Sequence, residues 1–398
     1  MSDLPAPDDD AAWAHWRSSW RFPDGVTYLN HGSFGPPPLA VREARRTWME
    51  RLDDQPMDFF VRQFEPAWFA ARRRLAQLVG TGEANLVFVE NATAGMNVVA
   101  DSFPLSPGDE VLLTDHEYGA VKRIWQRACR RAGTAETKFA TLPEQFTSAE
   151  QVVAAILGSC TPVTRLLVVS HITSPTAIIM PLPEICRAAR ERGIAMCVDG
   201  PHAIAQIELA IDALDCDYYT ASCHKWLSAP FGSGFLYVHP RRQESVGPVV
   251  LSWGRVSPTE PRRWDDEFVW SGTRDPSAFL TLPASIEFLE EVGFEAFRAR
   301  THALARYARE RIAGLVGLEP LVPDSRQWYG SMAHVPLAPT KSGGLDAREL
   351  QSALWRDYGI EVPIVEHNGR RAIRVSCHLY NDRRDIDRLV EALGKLLR

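Results

Sequence analysis

The chain contains little lysine. Of its 44 basic residues only five are lysines, namely Lys122, Lys138, Lys225, Lys341 and Lys395. Four of them have polar, loop-like or helix-surface neighbours, whereas Lys225 follows a predicted strand rich in aromatic residues and is flanked by His224 and Trp226. A lysine amine is nucleophilic only when neutral, and a crowded, desolvated site favours that form. Lys225 is therefore a candidate nucleophile, and the alternative is a lysine whose stem packs on Trp226 with its head in water.

Several classes of protein are excluded by what is missing. The seven cysteines form no C-x-x-C pair, which argues against a zinc site or a disulfide framework and predicts reduced thiols and a cytoplasmic location. No run of about 18 apolar residues predicts a membrane span, and residues 1–10 lack the apolar core of a signal peptide. The net charge of −6 offers no basic surface for nucleic acid. We therefore expect no metal, no membrane partner and no nucleic-acid partner.

Strand and helix patterns alternate through the first two thirds of the chain. Short apolar strands are predicted at residues 86–89, 111–114, 165–170, 195–198 and 217–221, with helical segments between them. Such alternation predicts an α/β fold with a mostly parallel sheet and helices on both faces. With 398 residues, the chain is long enough for a large domain and a smaller one.

Polar side chains follow these strands where each one ends. Ligands of parallel sheets bind outside the carboxyl ends of the strands. The alternative, that all these residues are helix caps and loop residues, is less probable for so many strand ends together. We expect one site containing Thr93, His116, Thr173, Ser174, Asp199, His202, His224 and Lys225.

The segment Asn91 to Asn97 joins a strand directly to a helix. Its small residues leave backbone N–H groups free at the positive end of a helix dipole, which favours a phosphate, although Asn91 or Thr93 could simply cap the helix. Pyridoxal phosphate (PLP) requires a phosphate-binding site, a carboxylate, an imidazole ring and an isolated lysine, and this sequence offers all four. The lysine forms a Schiff base, and the carboxylate keeps the pyridine nitrogen protonated.

Two motifs resemble a known family. Val198-Asp199-Gly200-Pro201-His202-Ala203 and Ser222-Cys223-His224-Lys225-Trp226 are similar to motifs of class V aminotransferase-fold enzymes, which are PLP enzymes of fold type I. The resemblance runs from about residue 28 to the C-terminus. The opening YLNHGSFGPPP, the segment DHEYGA at 115–120 and HITSPT at 171–176 look closest to the isopenicillin N epimerase-like branch.

The resemblance implies a role for each matching residue. Lys225 binds the cofactor covalently, Asp199 pairs with its ring nitrogen, and His202 reaches its phenolic oxygen. The phosphate is held by Thr93, the Ala92 backbone, Ser222 and His224. Either His116 or Tyr118 stacks on the ring, and Thr173 or Ser174 makes a further contact. Gly272 and Thr273 resemble a segment that reaches the phosphate of a neighbouring subunit, which implies a homodimer with shared active sites.

The last third is predicted to form a smaller α+β domain. Residues 275–311 are expected to be helical, 332–337 and 360–365 to be strands, and 346–357 to be a helix. Arg374 is the lone charge inside a further strand at 372–376, so it needs either a carboxylate partner in the core or a substrate carboxylate. The resemblance favours the second, an α-carboxylate clamp. The expected division is an N-terminal segment, 1–30, packing with the small domain; a large PLP-binding domain, 31–280; and a small domain, 281–398.

One departure from the family narrows the reaction. Cysteine desulfurases carry a nucleophilic cysteine before this arginine, and residues 358–371 contain none. The favoured interpretation is epimerisation or racemisation of an amino acid through a carbanion, with Asn30 and His31 as further substrate contacts and His31, His116 or Tyr118 as the second proton donor. The alternatives are a C–S lyase acting on an S-substituted cysteine, an aminotransferase and, more remotely, a non-catalytic protein that binds PLP or an amino acid.

Overall fold

The computed structural model describes residues 5–133, 136–254, 262–339 and 344–397. Its strands are β1 (Thr27–Tyr28), β2 (Leu86–Val89), β3 (Glu110–Thr114), β4 (Glu136–Ala140), β5 (Thr164–Ser170), β6 (Ala195–Asp199), β7 (Tyr218–Ser222), β8 (Gly234–Val238), β9 (Met332–Pro336), β10 (Ile360–Glu361), β11 (Ile364–His367) and β12 (Arg370–Ser376). Its α-helices are α1 (Asp10–Trp13), α2 (Leu39–Asp54), α3 (Pro56–Asp58), α4 (Phe64–Val79), α5 (Ala92–Ser102), α6 (Gly119–Arg131), α7 (Ala149–Gly158), α8 (Leu182–Glu191), α9 (Ile211–Leu214), α10 (Ser277–Leu280), α11 (Leu282–Val292), α12 (Phe294–Val316), α13 (Ala347–Tyr358) and α14 (Arg383–Leu396).

A seven-stranded sheet carries the first two thirds of the chain. Its strand order is β2-β8-β7-β6-β5-β3-β4, and β8 runs antiparallel to both neighbours while the other pairs are parallel. Successive residues of one strand enter opposite cores: Leu112 packs in one apolar cluster and Val111 and Leu113 in another. Burial of both faces explains the continuous apolar strands. The predicted α/β, mostly parallel sheet is confirmed, and β4 and β8 are strands that the sequence pattern did not reveal.

The last third contains a second, antiparallel sheet ordered β11-β12-β9. The single strand expected at residues 360–365 is wrong. Ile360–Glu361 pairs instead with Thr27–Tyr28, and a new strand begins at Ile364. Pro363 lies between the two, where a residue without an N–H group cannot extend the ladder. The predicted helix 346–357 corresponds to α13, and the predicted helical stretch 275–311 corresponds to α10, α11 and α12.

Residues before position 30 pack on elements from the end of the chain. The Trp20 ring lies 5.2 Å from the Tyr380 ring, and Arg300 forms an ion pair with Asp10 at 2.6 Å. The division at residues 31–280 and 281–398 stays a prediction. Within the described ranges, no helix combines the length and apolarity needed to cross a lipid bilayer.

Candidate active site

The first turn of α5 forms one wall of the site. Asn91 caps this helix by accepting a hydrogen bond from the Ala94 N–H at 2.9 Å, and the Ala92 N–H donates to Ser222 Oγ at 2.9 Å. A Cβ atom on Gly95 would lie 2.0 Å from the Thr220 hydroxyl oxygen, so only glycine lets α5 lie this close to β7. The Thr93 side chain is exposed at the same turn. The predicted phosphate residues Ala92, Thr93 and Ser222 therefore lie together at a helix N-terminus.

His224 lies directly after β7, on the same side of the sheet. Its Nδ1 is buried and has no hydrogen-bond partner within the described residues. Burial, together with the positive charge of Lys225, lowers the pKa of His224 to about 4. A buried, unpaired imidazole nitrogen two residues after Ser222, which contacts the first residue of α5, is suited to bind an incoming anion.

Lys225 points into the protein rather than into solvent. Its Nζ lies 2.9 Å from His202 Nε2, while Trp226 Nε1 donates weakly to His202 Nδ1 at 3.4 Å. If His202 Nδ1 accepts, Nε2 carries the proton of the neutral ring and donates to an unprotonated amine. Burial lowers the pKa of Lys225 to about 7; Arg374 adds to this shift and Asp199 opposes it. Both observations favour a neutral, nucleophilic amine, so the alternative of a lysine head in water is not what the structure shows.

Asp199 ends β6 beside a second buried acid. Burial raises the pKa of Asp199, the negative charge of Glu117 raises it further, and Lys225 opposes the rise. Glu117 accepts hydrogen bonds from Thr114 Oγ1 at 2.6 Å and from Ser170 Oγ at 2.5 Å. Ser170 lies opposite Asp199 in the β5–β6 register. Two carboxyl groups thus share a region with little water, which favours a cationic partner for Asp199.

Arg374 projects from β12 and is 4% exposed. Its Nη1 donates to the Ser174 carbonyl at 2.5 Å, and its Nη2 donates to Ser33 Oγ at 2.7 Å. Burial lowers the pKa of Arg374 to about 10. No acidic side chain pairs with it in the described part of the chain, and its Nε has no partner there. A buried guanidinium held only by neutral groups lacks the anion that would offset its desolvation.

The Gly-rich loop at residues 30–35 contacts both Lys225 and Arg374. Asn30 forms a bridge with Ser376, two residues after Arg374, and this places Ser33 against the guanidinium. A Cβ atom on Gly35 would lie 2.7 Å from the Lys225 carbonyl oxygen, so glycine allows this close approach. The sequence pattern had pointed to this loop but not to Ser33.

The two loop residues predicted to touch substrate have other contacts. Asn30 Nδ2 donates to Glu361 Oε1 at 3.2 Å. His31 places one ring nitrogen 2.9 Å from the Tyr380 hydroxyl and the other 3.0 Å from the Lys225 carbonyl. Burial lowers the pKa of His31 to about 3. These contacts hold His31 under the Lys225 backbone and do not support the predicted role in substrate binding.

His116 and Tyr118, the two candidates for stacking, lie in different surroundings. His116 is buried, with its Nδ1 2.7 Å from Asp115 Oδ1, whereas Tyr118 is 51% exposed at the start of α6. The His116 ring also lies 4.2 Å from the His367 ring. A ring fixed by a carboxylate inside the site is better placed to cover a cofactor than one at the surface. The contrast favours His116.

The remaining predicted residues lie apart from this centre or face their own loops. The Thr173 hydroxyl is hydrogen bonded within its own turn, to Thr176 Oγ1 and to the Ile178 N–H, both at 2.8 Å. Gly272 has a φ of 107°, and Thr273 beside it is exposed. No contact among the residues that the structure describes assigns Thr173, Gly272 or Thr273 to the site.

The residues present fit PLP. The large sheet contributes a half-buried lysine of lowered pKa, a buried acid of raised pKa and a histidine with an unpaired ring nitrogen. The small sheet contributes a buried arginine that has only neutral partners among the described residues. These groups match the aldehyde, ring nitrogen and phosphate of that cofactor, and the carboxylate of an amino acid. The fold and this site define a PLP-dependent enzyme of fold type I.

Comparison with known proteins gives the family. The family model for aminotransferase class V matches residues 57–389, and the chain belongs to that family. The chain is 36% identical to an isopenicillin N epimerase of Streptomyces clavuligerus, over 97% of this chain and 98% of that one. It is 30% identical to a putative L-cysteine desulfhydrase of Oryza sativa subsp. japonica, over 94% and 83% of the two chains. A solved structure of the cystine C–S lyase C-DES with cysteine persulfide superposes with a TM-score of 0.82 at 23% identity, covering 94% of this chain and 98% of that chain.

Proposed function

We propose that this protein is an amino-acid epimerase or racemase that uses PLP. The observation that carries the proposal is the buried Arg374 guanidinium, which has only neutral partners and lies close enough to Lys225 to lower the pKa of its amine. An α-carboxylate bound by Arg374 would place the substrate amino group and α-carbon near Lys225. Full-length similarity to isopenicillin N epimerases favours this reaction over the alternatives.

The same residues would hold the cofactor. Lys225 would bind it covalently, Asp199 would pair with the ring nitrogen and His202 would contact the phenolic oxygen. The phosphate would be held by the Ala92 N–H, Thr93, Ser222 and His224, because the first three lie at the positive end of the α5 dipole and His224 has an unpaired ring nitrogen. When bound, PLP supplies an electron sink for the charge that develops when a bond to the α-carbon breaks.

Proton transfer falls to residues of the chain. With its pKa lowered to about 7, Lys225 can accept a proton from one face of the α-carbon at neutral pH and return it. Inversion needs a second donor on the other face. Of the three candidates, His116 is both buried and oriented by a carboxylate, whereas His31 has other partners and Tyr118 is exposed. We assign the second proton transfer to His116.

Bidentate binding of the α-carboxylate fixes the direction of the α C–H bond. Arg374 offers a planar fork of donors, and its contacts with Ser33 and Ser174 hold that fork in place. Because burial of the site removes competing water, each contact to the carboxylate is strengthened. The C–H bond that breaks is thereby presented to Lys225 rather than left free to rotate.

A second candidate, C–S lyase activity, is favoured by a different observation. Relatives at 26–30% identity are named L-cysteine desulfhydrases. The same Lys225 and Arg374 would serve β-elimination, which needs a leaving group but no second-face donor. Transamination stays a third candidate, and a non-catalytic PLP- or amino-acid-binding protein a remote one.

A substrate screen of the purified holoprotein separates these reactions. L- and D-amino acids and S-substituted cysteines are incubated with it, and three products are scored: the opposite enantiomer, ammonia with pyruvate, and a keto acid exchanged with a second amino acid. Inversion without elimination supports the epimerase. Ammonia and pyruvate from cysteine derivatives, without inversion of any substrate, would replace it with the lyase.

We further propose a homodimer in a reducing, cytoplasmic setting. Four large apolar side chains close together in the sequence are 51–70% exposed, namely Val249, Val250, Leu251 and Trp253. A monomer in water rarely exposes such a group, so these residues are candidates for a subunit interface. Gly272 and Thr273 are free to contact a second copy. All seven cysteines are free thiols, which is typical of cytoplasmic proteins. Light scattering of the purified protein tests the dimer.

A further inference from the structure

Two histidines, His334 and His367, lie on the same sheet face as Arg374 and have no role in the proposed chemistry. His334 on β9 is directly opposite Arg374 on β12, so both side chains project from the same face of the antiparallel sheet. His367 ends β11 opposite Arg370, an even number of residues from Arg374, and therefore shares that face. The ring of His367 lies 4.2 Å from that of His116 on the other side of the site.

A tight turn fixes the position of His367. Asn368 and Gly369 link β11 to β12, and their φ angles of 48° and 72° fit a two-residue hairpin turn of type I′. The Asn368 side-chain amide donates to Asp115 Oδ2 at 3.1 Å, which ties the hairpin to the loop after β3. The hairpin thereby holds the His367 imidazole beside His116.

The surroundings of both rings hold them in the neutral form. Burial is the main cause that lowers the pKa of His334 to about 3, and Arg374 and the neighbouring histidines contribute. Burial is also the main cause that lowers the pKa of His367 to about 4; His116 and Lys122 contribute, and the Asp115 carboxylate opposes the shift. His334 Nδ1 and His367 Nε2 are buried and make no hydrogen bond within the described residues. On the face of the sheet that carries the Arg374 guanidinium, two neutral imidazole rings with unpaired nitrogens can each donate a hydrogen bond to an anion.

A metal ion is the competing occupant. Ligand atoms of Asp115, His116 and His367 lie within 4.8 Å of one another. However, the Asp115 carboxylate already accepts hydrogen bonds from His116, from Asn368 and from the Leu142 N–H. A cation would have to displace these donors and would lie in the field that already lowers the pKa values of the neighbouring histidines. An anion bound by His334 and His367 would leave the three hydrogen bonds to Asp115 in place, and the positive charge of Arg374 would attract it.

We propose that His334 and His367 form a second anion subsite, which binds a side-chain carboxylate of the amino acid whose α-carboxylate Arg374 holds. This inference rests on the proposed function, and it assigns the substrate to the class of α-amino acids with an acidic side chain. The two histidines determine specificity, because they contact the end of the substrate remote from the α-carbon. Each supplies a hydrogen bond that an uncharged side chain of the same shape uses less well.

The experiment compares acid and amide pairs of nearly equal shape. Dissociation constants of L-glutamate and L-glutamine, and of L-aspartate and L-asparagine, are measured with the holoprotein from the change in cofactor absorbance and by calorimetry. We expect one acid of the two to bind at least about tenfold more tightly than its amide. His334→Gln and His367→Phe should each reduce that ratio, and the double variant should bring it close to one. His367→Phe keeps a ring against His116, and the thermal midpoint reports any loss of folding.

A matched control and a metal titration complete the test. His239, which lies 3.3 Å from Asp215 outside the site, is changed to glutamine and should leave the ratio as in the wild type. A wild-type ratio near one for both pairs, with all four ligands bound, overturns the subsite but leaves the proposed function standing. Unchanged ratios in the histidine variants also overturn it. Stoichiometric Zn²⁺ binding that His367→Phe abolishes would make the cluster a metal site. If no amino acid alters the absorbance, the proposed function fails and the subsite with it.

Discussion

Replacing Arg374 with methionine separates a substrate clamp from a structural arginine. The guanidinium is buried, and among the described residues its partners are Ser33 and Ser174, neither of them charged. In the free protein the substitution removes a desolvated charge, so we expect the thermal midpoint to stay the same or rise. With a substrate present, it leaves the α-carboxylate in a desolvated pocket without its partner, a loss of about 2–5 kcal/mol. That corresponds to an affinity weaker by about 30-fold to a few thousand-fold.

The assay measures three quantities on the same variant. They are the dissociation constant of an amino-acid ligand, the absorbance of the bound cofactor, and the thermal midpoint. Arg374→Lys serves as the matched variant, because it keeps the positive charge but loses the planar fork and should recover little affinity. The midpoint pH for capture of PLP by the apoprotein should also rise in Arg374→Met, because Arg374 contributes to the lowered pKa of Lys225. Normal affinity together with a large thermal loss would refute the clamp.

Four further predictions concern the other residues of the site. Lys225→Ala should fold but lose the visible absorbance of the bound cofactor and all turnover; a variant that keeps both would end the assignment of Lys225. In the wild-type apoprotein, the rate of PLP capture should rise with pH and level off above about 7, because the neutral amine is the reactive form; a midpoint near that of free lysine, about 10.4, contradicts the lowered pKa. Asp199→Asn should slow α-proton exchange into D2O by orders of magnitude, and wild-type exchange would exclude its role. His116→Phe should retain exchange at one face of the α-carbon while inversion is lost, as NMR and chiral chromatography would show; normal inversion would assign the second proton transfer elsewhere.

Much of the large sheet could be read from local sequence. Apolar runs such as Val111 to Leu113 are buried on both faces, and their shortness and the alternation with helical segments distinguish them from buried helices. The strand β4 (Glu136–Ala140) was missed because it is an edge strand with Glu136 and Phe139 exposed, and it lacks an apolar run. The strand β8 was missed because its pairing with β2 and β7 is antiparallel and breaks the βαβ alternation.

The site residues that lie at strand ends could be predicted from the sequence. Those that reach the site through packing between distant segments could not. Lys225 and Asp199 follow strands directly, and the order of strands in a parallel sheet brings them together. Ser33 and His334 reach Arg374 only through pairing of β12 with residues far away in sequence. Glu117 was missed because nothing local shows that its carboxylate lies buried near Asp199.

The tie between early and late residues has a consequence for how the protein is made. The Thr27 hydroxyl of β1 donates a hydrogen bond to Asp385 Oδ1 at 3.3 Å, and the two residues are 358 positions apart in the chain. The strand β1 itself pairs with β10. Contacts of such long sequence separation slow folding, because a long loop must close before they form. On the ribosome, residues 5–30 must wait for their partners until almost the entire chain has emerged. Until then the loop that carries Ser33 has no β12 to rest on, so we expect the nascent chain to acquire its amino-acid pocket last, and to depend on protection from aggregation in the interval.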